Sequence, residues 1–341
     1  MRRTSLGAAL LACLGQAAVP AMAQGADVAR IVERFENANQ WRDHVMVVAH
    51  RAGWKQGGIA RRAENSRTAI RHAIDVGVEM VEIDVRRTGD GELVVMHDSW
   101  LDRTTTCKGE VIKYSLKQIR TCRLVIEGTG VATDETVPTF RELLEVANGR
   151  IMVNVDNKLD LSDLPEIVAV ARALGMERQV VIKQNIWSAA KMEEMKTVMD
   201  RIGQRAVHFM PILADDAVKD AGFMETATSS LAADAAELIV WRKQEQPMIG
   251  AGGVLFNSRA RAAAIRGDWH LWINTFSIVN KPGGMLAGGR GDELAVLASF
   301  PEESYGFWAE QGVTMIQTDE PEAALDWLSA NGYRIPYALT N

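Results

Sequence analysis

The stretch EMVEIDVRRTGDGELVVMHD, residues 79–98, sets carboxylates within a hydrophobic run and ends on a histidine and an aspartate. Successive side chains of a β-strand point to opposite faces, so Glu82 and Asp84 lie on the same face. Two adjacent carboxylates repel each other, and burying either one without a partner is costly. The pair therefore indicates either a solvated strand face or a positive charge held between the two groups.

The two apolar runs of this stretch are joined by RRTGDGE, which is too short for the crossover that parallel strands need. Asp90-Gly91 is instead typical of a hairpin turn. We therefore expect the first strand to run beyond the sheet, turn, and return antiparallel, which brings His97 close to Asp84.

Short apolar runs alternate with helix-like segments along the rest of the chain. With LVVMHD (93–98) assigned to the hairpin, eight runs remain: VMVVAH (45–50), MVEIDV (80–85), RIMVNVD (150–156), QVVIK (179–183), AVHFMPI (206–212), ELIVW (237–241), HLWIN (270–274) and VTMIQTD (313–319). Alternating β and α units predict a parallel sheet, and eight of them predict an α/β fold of the (β/α)8 TIM-barrel type. We expect the hairpin extension after strand two and a small insertion at about 99–138.

The polar residues of these runs gather at the ends of the strands. They are His50, Arg51, Glu82, Asp84, Asp156, Asn157, Lys158, Lys183, Asn274, Thr318 and Asp319. In a TIM barrel the chemistry takes place at the carboxyl ends of the strands, which all meet at one rim. The concentration of charge there favours a functional site over a solvated face.

Glu82, Asp84 and Asp156 offer hard oxygen ligands, which suit Ca²⁺ or Mg²⁺ better than Zn²⁺. His50 and His97 come from different segments and can act as a general acid and base pair near neutral pH. We therefore predict one divalent cation at the rim, held by the three carboxylates, with the two histidines as catalytic residues.

Cations complete the predicted site. Arg51, Lys158 and Lys183 suit a phosphate, the arginine through its fork and the lysines as point charges. A metal ion, two histidines and cations together indicate the cleavage of a phosphodiester. Trp272, near the end of strand seven, fits either the lining of the substrate pocket or the filling of the core.

Several motifs resemble the glycerophosphodiester phosphodiesterase family of phospholipase-C-like phosphodiesterases. They are VVAHRAG (47–53), AENSRTAIRHAIDVGVEMVEIDVRRTGDGELVVMHDSWLDRTT (63–105), VPTFRELLEVA (137–147) and TDEP (318–321), and the resemblance extends over most of the chain. It implies a TIM barrel, His50 and His97 as acid and base, Glu82 and Asp84 as metal ligands, and Arg51 on the phosphate.

Two of the family's motifs are altered in this chain. The usual PENT motif reads AENS (63–66), so the turn loses its proline while Glu64 can still reach the substrate site. Where members have a glutamate followed two residues later by lysine, this chain has Asp156 and Lys158. Because aspartate is one methylene shorter, the ion must sit closer to strand three. Sphingomyelinase-D-like enzymes also have aspartate here, so this position leaves the substrate open.

The first functional hypothesis is metal-dependent hydrolysis of glycerophosphodiesters to glycerol 3-phosphate and an alcohol. The alternative is a phospholipase-D- or sphingomyelinase-D-like enzyme acting on lysophospholipids or sphingolipids. A third hypothesis, a non-catalytic phosphate-binding barrel, is disfavoured because both histidines and all three carboxylates are present. The alcohol released, the choice between Ca²⁺ and Mg²⁺, and the choice between a hydrolysed and a cyclic product stay open.

The first 25 residues, MRRTSLGAALLACLGQAAVPAMAQG, have the pattern of a bacterial secretory signal. A positive start is followed by an apolar run and by Ala21-Met22-Ala23, which matches an AxA cleavage site. We expect cleavage after Ala23 and a periplasmic or secreted single domain over 24–341. A lipid anchor on Cys13 is the disfavoured alternative, because the apolar run continues past it to a better site.

Cys107 and Cys122 remain after cleavage, and in an exported protein they predict a disulfide, with two free thiols as the alternative. The net charge of −6 lacks the basic excess usual for a nucleic-acid-binding protein. No later run reaches the roughly 18 apolar residues of a spanning helix. The expected partner is a small phosphodiester, and the oligomeric state stays open.

Overall fold

The computed structural model describes residues 27–203, 206–243, 245–278 and 285–340. The predicted signal peptide, with Cys13, lies outside these ranges. Eight parallel strands form a closed barrel: β1 Met46–Ala49, β2 Met80–Arg87, β3 Met152–Asn157, β4 Val180–Asn185, β5 His208–Ala214, β6 Ala235–Ile239, β7 His270–Asn274 and β8 Met315–Thr318. Each strand pairs with the next in chain order, and β1 pairs with both β2 and β8. The predicted TIM barrel is confirmed.

Ten α-helices occur in the described part of the chain. They are α1 Val28–Glu36, α2 Arg67–Val76, α3 Leu116–Ile119, α4 Phe140–Ala147, α5 Leu164–Ala173, α6 Ala189–Ile202, α7 Ala221–Ser230, α8 Ser258–Gly267, α9 Tyr305–Glu310 and α10 Pro321–Ala330. Helix α2 shows how the local sequence sets the boundaries. The Ser66 hydroxyl accepts a hydrogen bond from the Ala69 amide at 3.0 Å, and Gly77 ends the helix at a φ of 86°.

Single turns of 3₁₀-helix and short strands complete the secondary structure. The 3₁₀ turns are Ala38–Trp41, His50–Ala52, Val111–Lys113, Leu161–Asp163, Ala287–Gly289, Pro301–Glu303 and Tyr337–Leu339, with a π-helical turn at Glu293–Leu297. A small hairpin, Lys55–Gln56 with Ile59–Ala60, follows β1. Within the residues that the structure describes, no helix has both the length and the apolar character needed to cross a bilayer.

The barrel interior changes from apolar to charged along its axis. At the amino end every strand contributes to a buried apolar layer, and β1 contributes two residues. The layer holds Met46, Val48, Met80, Met152, Val181, Met210, Ala235, Trp272 and Met315. Ile31, Val32 and Phe35 of α1 belong to the same cluster and cover this end. Two residues further along β2, β3 and β6 the inward positions hold Glu82, Asn154 and Glu237. The polar residues of the strands therefore face the carboxyl rim.

The extension of β2 has the predicted form. Strand Leu93–Val95 pairs antiparallel with the end of β2, with Val85 opposite Val95 and Arg87 opposite Leu93. The insertion that follows holds α3 and a hairpin of Arg123–Ile126 with Val131–Thr136. The insertion packs with residues before it in a small core separate from the barrel: Ala63, Val94, Met96, Leu101, Val111, Ile119, Cys122, Leu124 and Val137. Cys107 and Cys122 form the predicted disulfide.

Candidate active site

Three carboxylates converge at the carboxyl ends of β2 and β3. Asp84 and Asp156 are direct neighbours in the strand register, and Glu82 lies on the same face as Asp84. One oxygen from each of the three groups lies within 4.8 Å of the others. Glu82 and Asp84 are buried, and Asp156 is half-buried. Three hard oxygen donors at this separation could hold a divalent metal ion.

Cationic side chains lie closer to the Asp84 carboxylate than to the Glu82 carboxylate. Lys158 Nζ lies 3.1 Å from Asp84 Oδ1 and 2.6 Å from Asp156 Oδ2, and Asn65 Nδ2 donates to Asp84 Oδ2 at 2.8 Å. Burial acts to raise the pKa of Asp84, but Lys158 and Arg51 outweigh it and hold that pKa below its usual value. Burial and then the charge of Asp84 raise the pKa of Glu82. A divalent cation beside Glu82 would remove this repulsion.

His50 follows β1 and faces the carboxylates. Its Nδ1 lies 2.8 Å from Asp319 Oδ1, its Nε2 lies 4.0 Å from Glu82 Oε2, and its ring stacks on Phe276 with centroids 3.7 Å apart. Because an ionised carboxylate only accepts hydrogen bonds, the ring proton belongs on Nδ1, and Nε2 is left with a lone pair. Burial lowers the pKa of His50 to about 4, against the opposing effect of Asp319.

Asp319 is a site residue whose role the sequence did not predict. Besides His50, its carboxylate accepts hydrogen bonds from Trp54 Nε1 and Lys55 Nζ, both at 2.8 Å. Burial acts to raise the pKa of Asp319, but His50 and Lys55 hold it below the usual value. The signal was present, since Asp319 ends β8 within the TDEP motif. Its partners come from the loop after β1, where Trp54 is buried.

His97 ends the hairpin that extends β2. The Met96 amide donates to the Asp84 carbonyl at 2.9 Å, which holds this segment beside the carboxylates. His97 Nδ1 lies 2.7 Å from Asp98 Oδ1, and Arg103 Nε donates to Asp98 Oδ2 at 2.7 Å. The His97 side chain is 31% exposed, whereas that of His50 is 7% exposed. The two histidines therefore approach the rim from different environments.

Arg51 is held in a strained conformation beside the carboxylates. Its φ of 47° lies in the left-handed region, which is rare for residues other than glycine. Its backbone amide donates to Glu82 Oε2 at 3.0 Å, and its Nη1 donates to Glu64 Oε2 at 2.9 Å. The Arg51 Nε group is buried and donates to no described residue, although Asp84 Oδ2 lies 3.9 Å away. A phosphate oxygen would satisfy this donor.

Glu64 contacts two guanidinium groups. Besides Arg51, it accepts hydrogen bonds from Arg103 Nη1 and Nη2, both at 2.8 Å, and it is 3% exposed. Burial acts to raise the pKa of Glu64, but Arg51 and Arg103 hold it below the usual value. An anion so placed orients the Arg51 guanidinium. A direct contact of Glu64 with the substrate stays a prediction.

Two further residues that were predicted to contact the substrate lie deep in the barrel. Lys183 is 4% exposed, and its Nζ lies 3.1 Å from Glu237 Oε2 and 3.8 Å from Glu82 Oε1. This 4% exposure compares with 21% for the Lys158 side chain, and the contact of Lys183 with a phosphate stays a prediction. Trp272 is fully buried in the apolar layer, and its Nε1 donates to Asn274 Oδ1 at 2.8 Å. It fills the core and does not line a pocket.

A second buried charge cluster lies at the opposite end of the barrel. Glu79 precedes β2 and accepts hydrogen bonds from Arg334 Nη2 at 2.6 Å and from the Val47 amide at 2.9 Å, with His44 Nε2 at 3.3 Å. Burial acts to raise the pKa of Glu79, but Arg334 and His44 bring it down to about 2. This cluster joins the C-terminal segment to the barrel, away from the candidate site.

The fold and the rim together define a TIM-barrel protein with a carboxylate cluster that could hold a divalent cation beside two histidines and two cationic side chains. The chain belongs to the Glycerophosphoryl diester phosphodiesterase family, whose model matches residues 55–260. A second model, described as a domain of unknown function, matches residues 209–328. The family resemblance seen in the sequence motifs is thereby confirmed.

Curated relatives carry the same family name. A glycerophosphodiester phosphodiesterase of Caldanaerobacter subterraneus subsp. tengcongensis is 29% identical over 156 residues, which cover 44% of this chain and 62% of that protein. Glycerophosphodiester phosphodiesterase 1 of Homo sapiens is 35% identical over 120 residues, or 34% of this chain and 35% of that protein. The matched stretches thus span less than two thirds of these relatives.

Solved structures share the fold over most of the chain. A glycerophosphoryl diester phosphodiesterase from Parabacteroides distasonis has a TM-score of 0.63 at 18% identity, covering 91% of this chain and 94% of that one. An Oleispira antarctica phosphodiesterase, solved in complex with the product sn-glycerol-3-phosphate, has a TM-score of 0.51 at 18% identity, covering 82% and 96%. At these identities the likeness shows the fold alone.

Proposed function

We propose that the protein is a metal-dependent phosphodiesterase that hydrolyses glycerophosphodiesters to glycerol 3-phosphate and an alcohol. The observation that carries this proposal is the convergence of the three carboxylates with the His50–Asp319 pair and Arg51 at one rim. Membership of the Glycerophosphoryl diester phosphodiesterase family and the names of the curated relatives support the substrate class.

Glu82, Asp84 and Asp156 would hold the Ca²⁺ or Mg²⁺ ion, which supplies Lewis-acid polarisation of a phosphoryl oxygen. Arg51 and Lys158 bind the remaining phosphate oxygens. The unsatisfied Arg51 Nε supports the first contact, and the 21% exposure of the Lys158 side chain supports the second. Glu64 and Arg103 keep the Arg51 guanidinium in place during this contact.

The two histidines act as general base and general acid. His50 Nε2 takes the proton of the attacking hydroxyl, and Asp319 on Nδ1 stabilises the imidazolium that forms. His97, nearer to solvent, donates a proton to the leaving oxygen of the alcohol, and the Asp98–Arg103 pair orients its ring. If the nucleophile is a water molecule, the products are glycerol 3-phosphate and the alcohol. If it is a glycerol hydroxyl of the substrate, the first product is a cyclic phosphate.

Lysophospholipids or sphingolipids are the second candidate substrates, and exposed apolar side chains near the barrel mouth favour them. Ile59 is 51% exposed on the hairpin after β1, and Leu297 and Phe300 are 67% and 51% exposed after β7. Leu297 lies against Gly58, so the two loops meet there. A lipid chain leaving the site could contact these side chains.

Turnover assays separate these substrates. Glycerophosphocholine, glycerophosphoethanolamine and lysophosphatidylcholine are offered in parallel with Mg²⁺ or Ca²⁺, and the phosphorus-containing products are followed by ³¹P NMR. Release of glycerol 3-phosphate from the first two supports the main proposal, and a cyclic phosphate or a lysolipid product has its own resonance. No product from any diester with either cation would refute the enzymatic function and leave the phosphate-binding alternative. Excess chelator should abolish turnover, and Mg²⁺ or Ca²⁺ should restore it better than Zn²⁺.

We also propose that the chain is exported, with cleavage after Ala23, to the periplasm or outside the cell. The Cys107–Cys122 disulfide supports an oxidising compartment. Mass spectrometry of protein from the periplasmic fraction tests this, because cleavage leaves Gln24 as the first residue. A lipid-modified Cys13 at the N-terminus would identify the anchored alternative instead.

A further inference from the structure

A chain of polar side chains crosses the barrel interior below the carboxylate cluster. Lys183 of β4 contacts Glu237 of β6, with Nζ 3.1 Å from Oε2. Asn274 of β7 donates its amide to Glu237 Oε1 at 2.6 Å, and Trp272 Nε1 donates to Asn274 Oδ1 at 2.8 Å. The Glu237 carboxylate is thereby fixed by one oxygen, and its other oxygen is directed at the Lys183 ammonium.

Two carboxylates lie within 4.0 Å of the buried Lys183 ammonium. Lys183 and Glu237 are each 4% exposed, so water cannot compensate the charge of the Lys183 ammonium, and a carboxylate of the protein must do so. Glu237 Oε2 lies at 3.1 Å from Lys183 Nζ, and Glu82 Oε1 lies at 3.8 Å. The closer contact belongs to Glu237, which is outside the cluster that could hold the metal ion. Without Glu237, the only buried carboxylate in contact with this ammonium among the described residues would be Glu82.

We propose that Glu237 is a positioning residue for the carboxylate cluster, because it holds the Lys183 ammonium and so leaves Glu82 available to a divalent cation. Lys183 and the divalent cation compete for the same carboxylate, and Glu237 decides this competition in favour of the cation. The inference rests on the proposed metal-dependent function, because it concerns the affinity of Glu82 for the ion. It assigns to Glu237, Asn274 and Lys183 a role in metal affinity that does not require contact with the substrate.

The alternative is that the Lys183–Glu237 pair only supports the fold. Any buried ion pair lowers stability when one partner is removed, because the other is left without compensation. Loss of stability alone therefore does not distinguish the two roles. Cation affinity does, because a pair that only supports the fold gives no reason for an affinity lost without Glu237 to return when Lys183 is also removed.

The test is calorimetric titration of Mg²⁺ and Ca²⁺ into the chelator-stripped full chain, with thermal unfolding measured in chelator. Glu237→Gln keeps the shape and the hydrogen bond from Asn274 but frees Lys183 to pair with Glu82. We expect the cation affinity to fall by about tenfold or more, from one added uncompensated charge near the ion. Lys183→Met removes the competitor, so its affinity should equal or exceed that of the parent.

The double variant Lys183→Met/Glu237→Gln removes both charges and should restore the affinity to within about threefold of the parent. If Glu237→Gln alone does not fold, the double variant still allows refutation, because a tenfold loss of affinity with Lys183 absent would show that Glu237 does not act through Lys183. The matched control is Glu79→Gln, a carboxylate-to-amide change at a buried ion pair at the opposite end of the barrel. It should lower the unfolding temperature and leave the cation affinity unchanged.

Parent affinity in folded Glu237→Gln would overturn the proposal, and so would a tenfold loss in Lys183→Met. If the parent binds neither cation, both the proposal and the metal-dependent function fail. If the parent binds the cation and the variants behave as expected but no diester is cleaved, only the function fails.

Discussion

Asp156 is the predicted ligand at which this chain departs from its family, and its replacement by asparagine is the sharpest test of the metal site. Asp156→Asn keeps the size of the side chain and removes one of the three negative charges that lie within 4.8 Å of one another. Substituting a residue that only supports a metal ligand typically lowers the affinity for the metal ion by about 10–100-fold. Losing a charged ligand should therefore lower that affinity by at least about 100-fold.

The same substitution should scarcely affect the metal-free protein. Asp156 loses its contact with Lys158 Nζ at 2.6 Å, but its side chain is 28% exposed, and such pairs contribute about 0–1 kcal/mol. The substitution also removes the repulsion between Asp156 and the neighbouring Asp84. Lys158 retains its ion pair with Asp84, with Nζ 3.1 Å from Oδ1. The two effects oppose each other, so we expect the free energy of unfolding in chelator to change by less than about 1 kcal/mol, or to rise.

Asp156→Glu is the finer probe, because it restores the residue type usual in the family. Asp84 and Asp156 stand side by side on neighbouring strands, so an added methylene should crowd the ion and reduce both affinity and turnover. Titration calorimetry with Mg²⁺ and Ca²⁺ measures the affinity, and the diester assay measures the turnover. If Asp156→Asn binds the ion as tightly as the parent does, the third ligand lies elsewhere. If Asp156→Glu raises affinity and turnover, the site has not adapted to the shorter side chain.

Three further predictions concern the histidines and the opposite end of the barrel. His50→Ala and His97→Ala should each lower turnover by about 10²–10⁴-fold with the fold retained by circular dichroism, and full activity would remove that histidine from the mechanism. Asp319→Asn should lower kcat by about 10²-fold or more and leave metal affinity unchanged. The asparagine amide can donate to His50 Nδ1, which places the ring proton on Nε2 and removes the lone pair that accepts the proton. An unaltered kcat would contradict this. The pKa of Glu79 is lowered to about 2 in the folded protein, against 4.5 for the free group. Ionised Glu79 therefore stabilises the folded state by about 3 kcal/mol. This contribution is complete above pH 4.5 and is lost as the pH falls towards 2. Unfolding in denaturant between about pH 6 and pH 3 checks this, because Glu79→Gln should flatten the pH dependence, and an equally steep curve would contradict it.

Much of the architecture follows from local patterns. The period of two along β2 places Glu82 and Asp84 on one face, and the DG turn sends the chain back so that His97 comes beside Asp84. Because parallel strands of a barrel share one carboxyl rim, the end of β3 brings Asp156 to the same place. The carboxylate cluster could therefore be predicted from the sequence, since each step depends on a few neighbouring residues and on the chirality and closure of the fold.

The tertiary structure decided how deep each side chain lies and which charges it meets. Lys183 and Trp272 both stand near strand ends in the sequence, yet Lys183 is held below the rim by Glu237 and Trp272 fills the apolar layer. The depth of a side chain depends on the stagger of adjacent strands and on what meets it across the barrel, and a single strand's pattern contains neither. Asp319 likewise receives Trp54 from a loop 265 residues away in the chain, a contact that exists only once the barrel has closed.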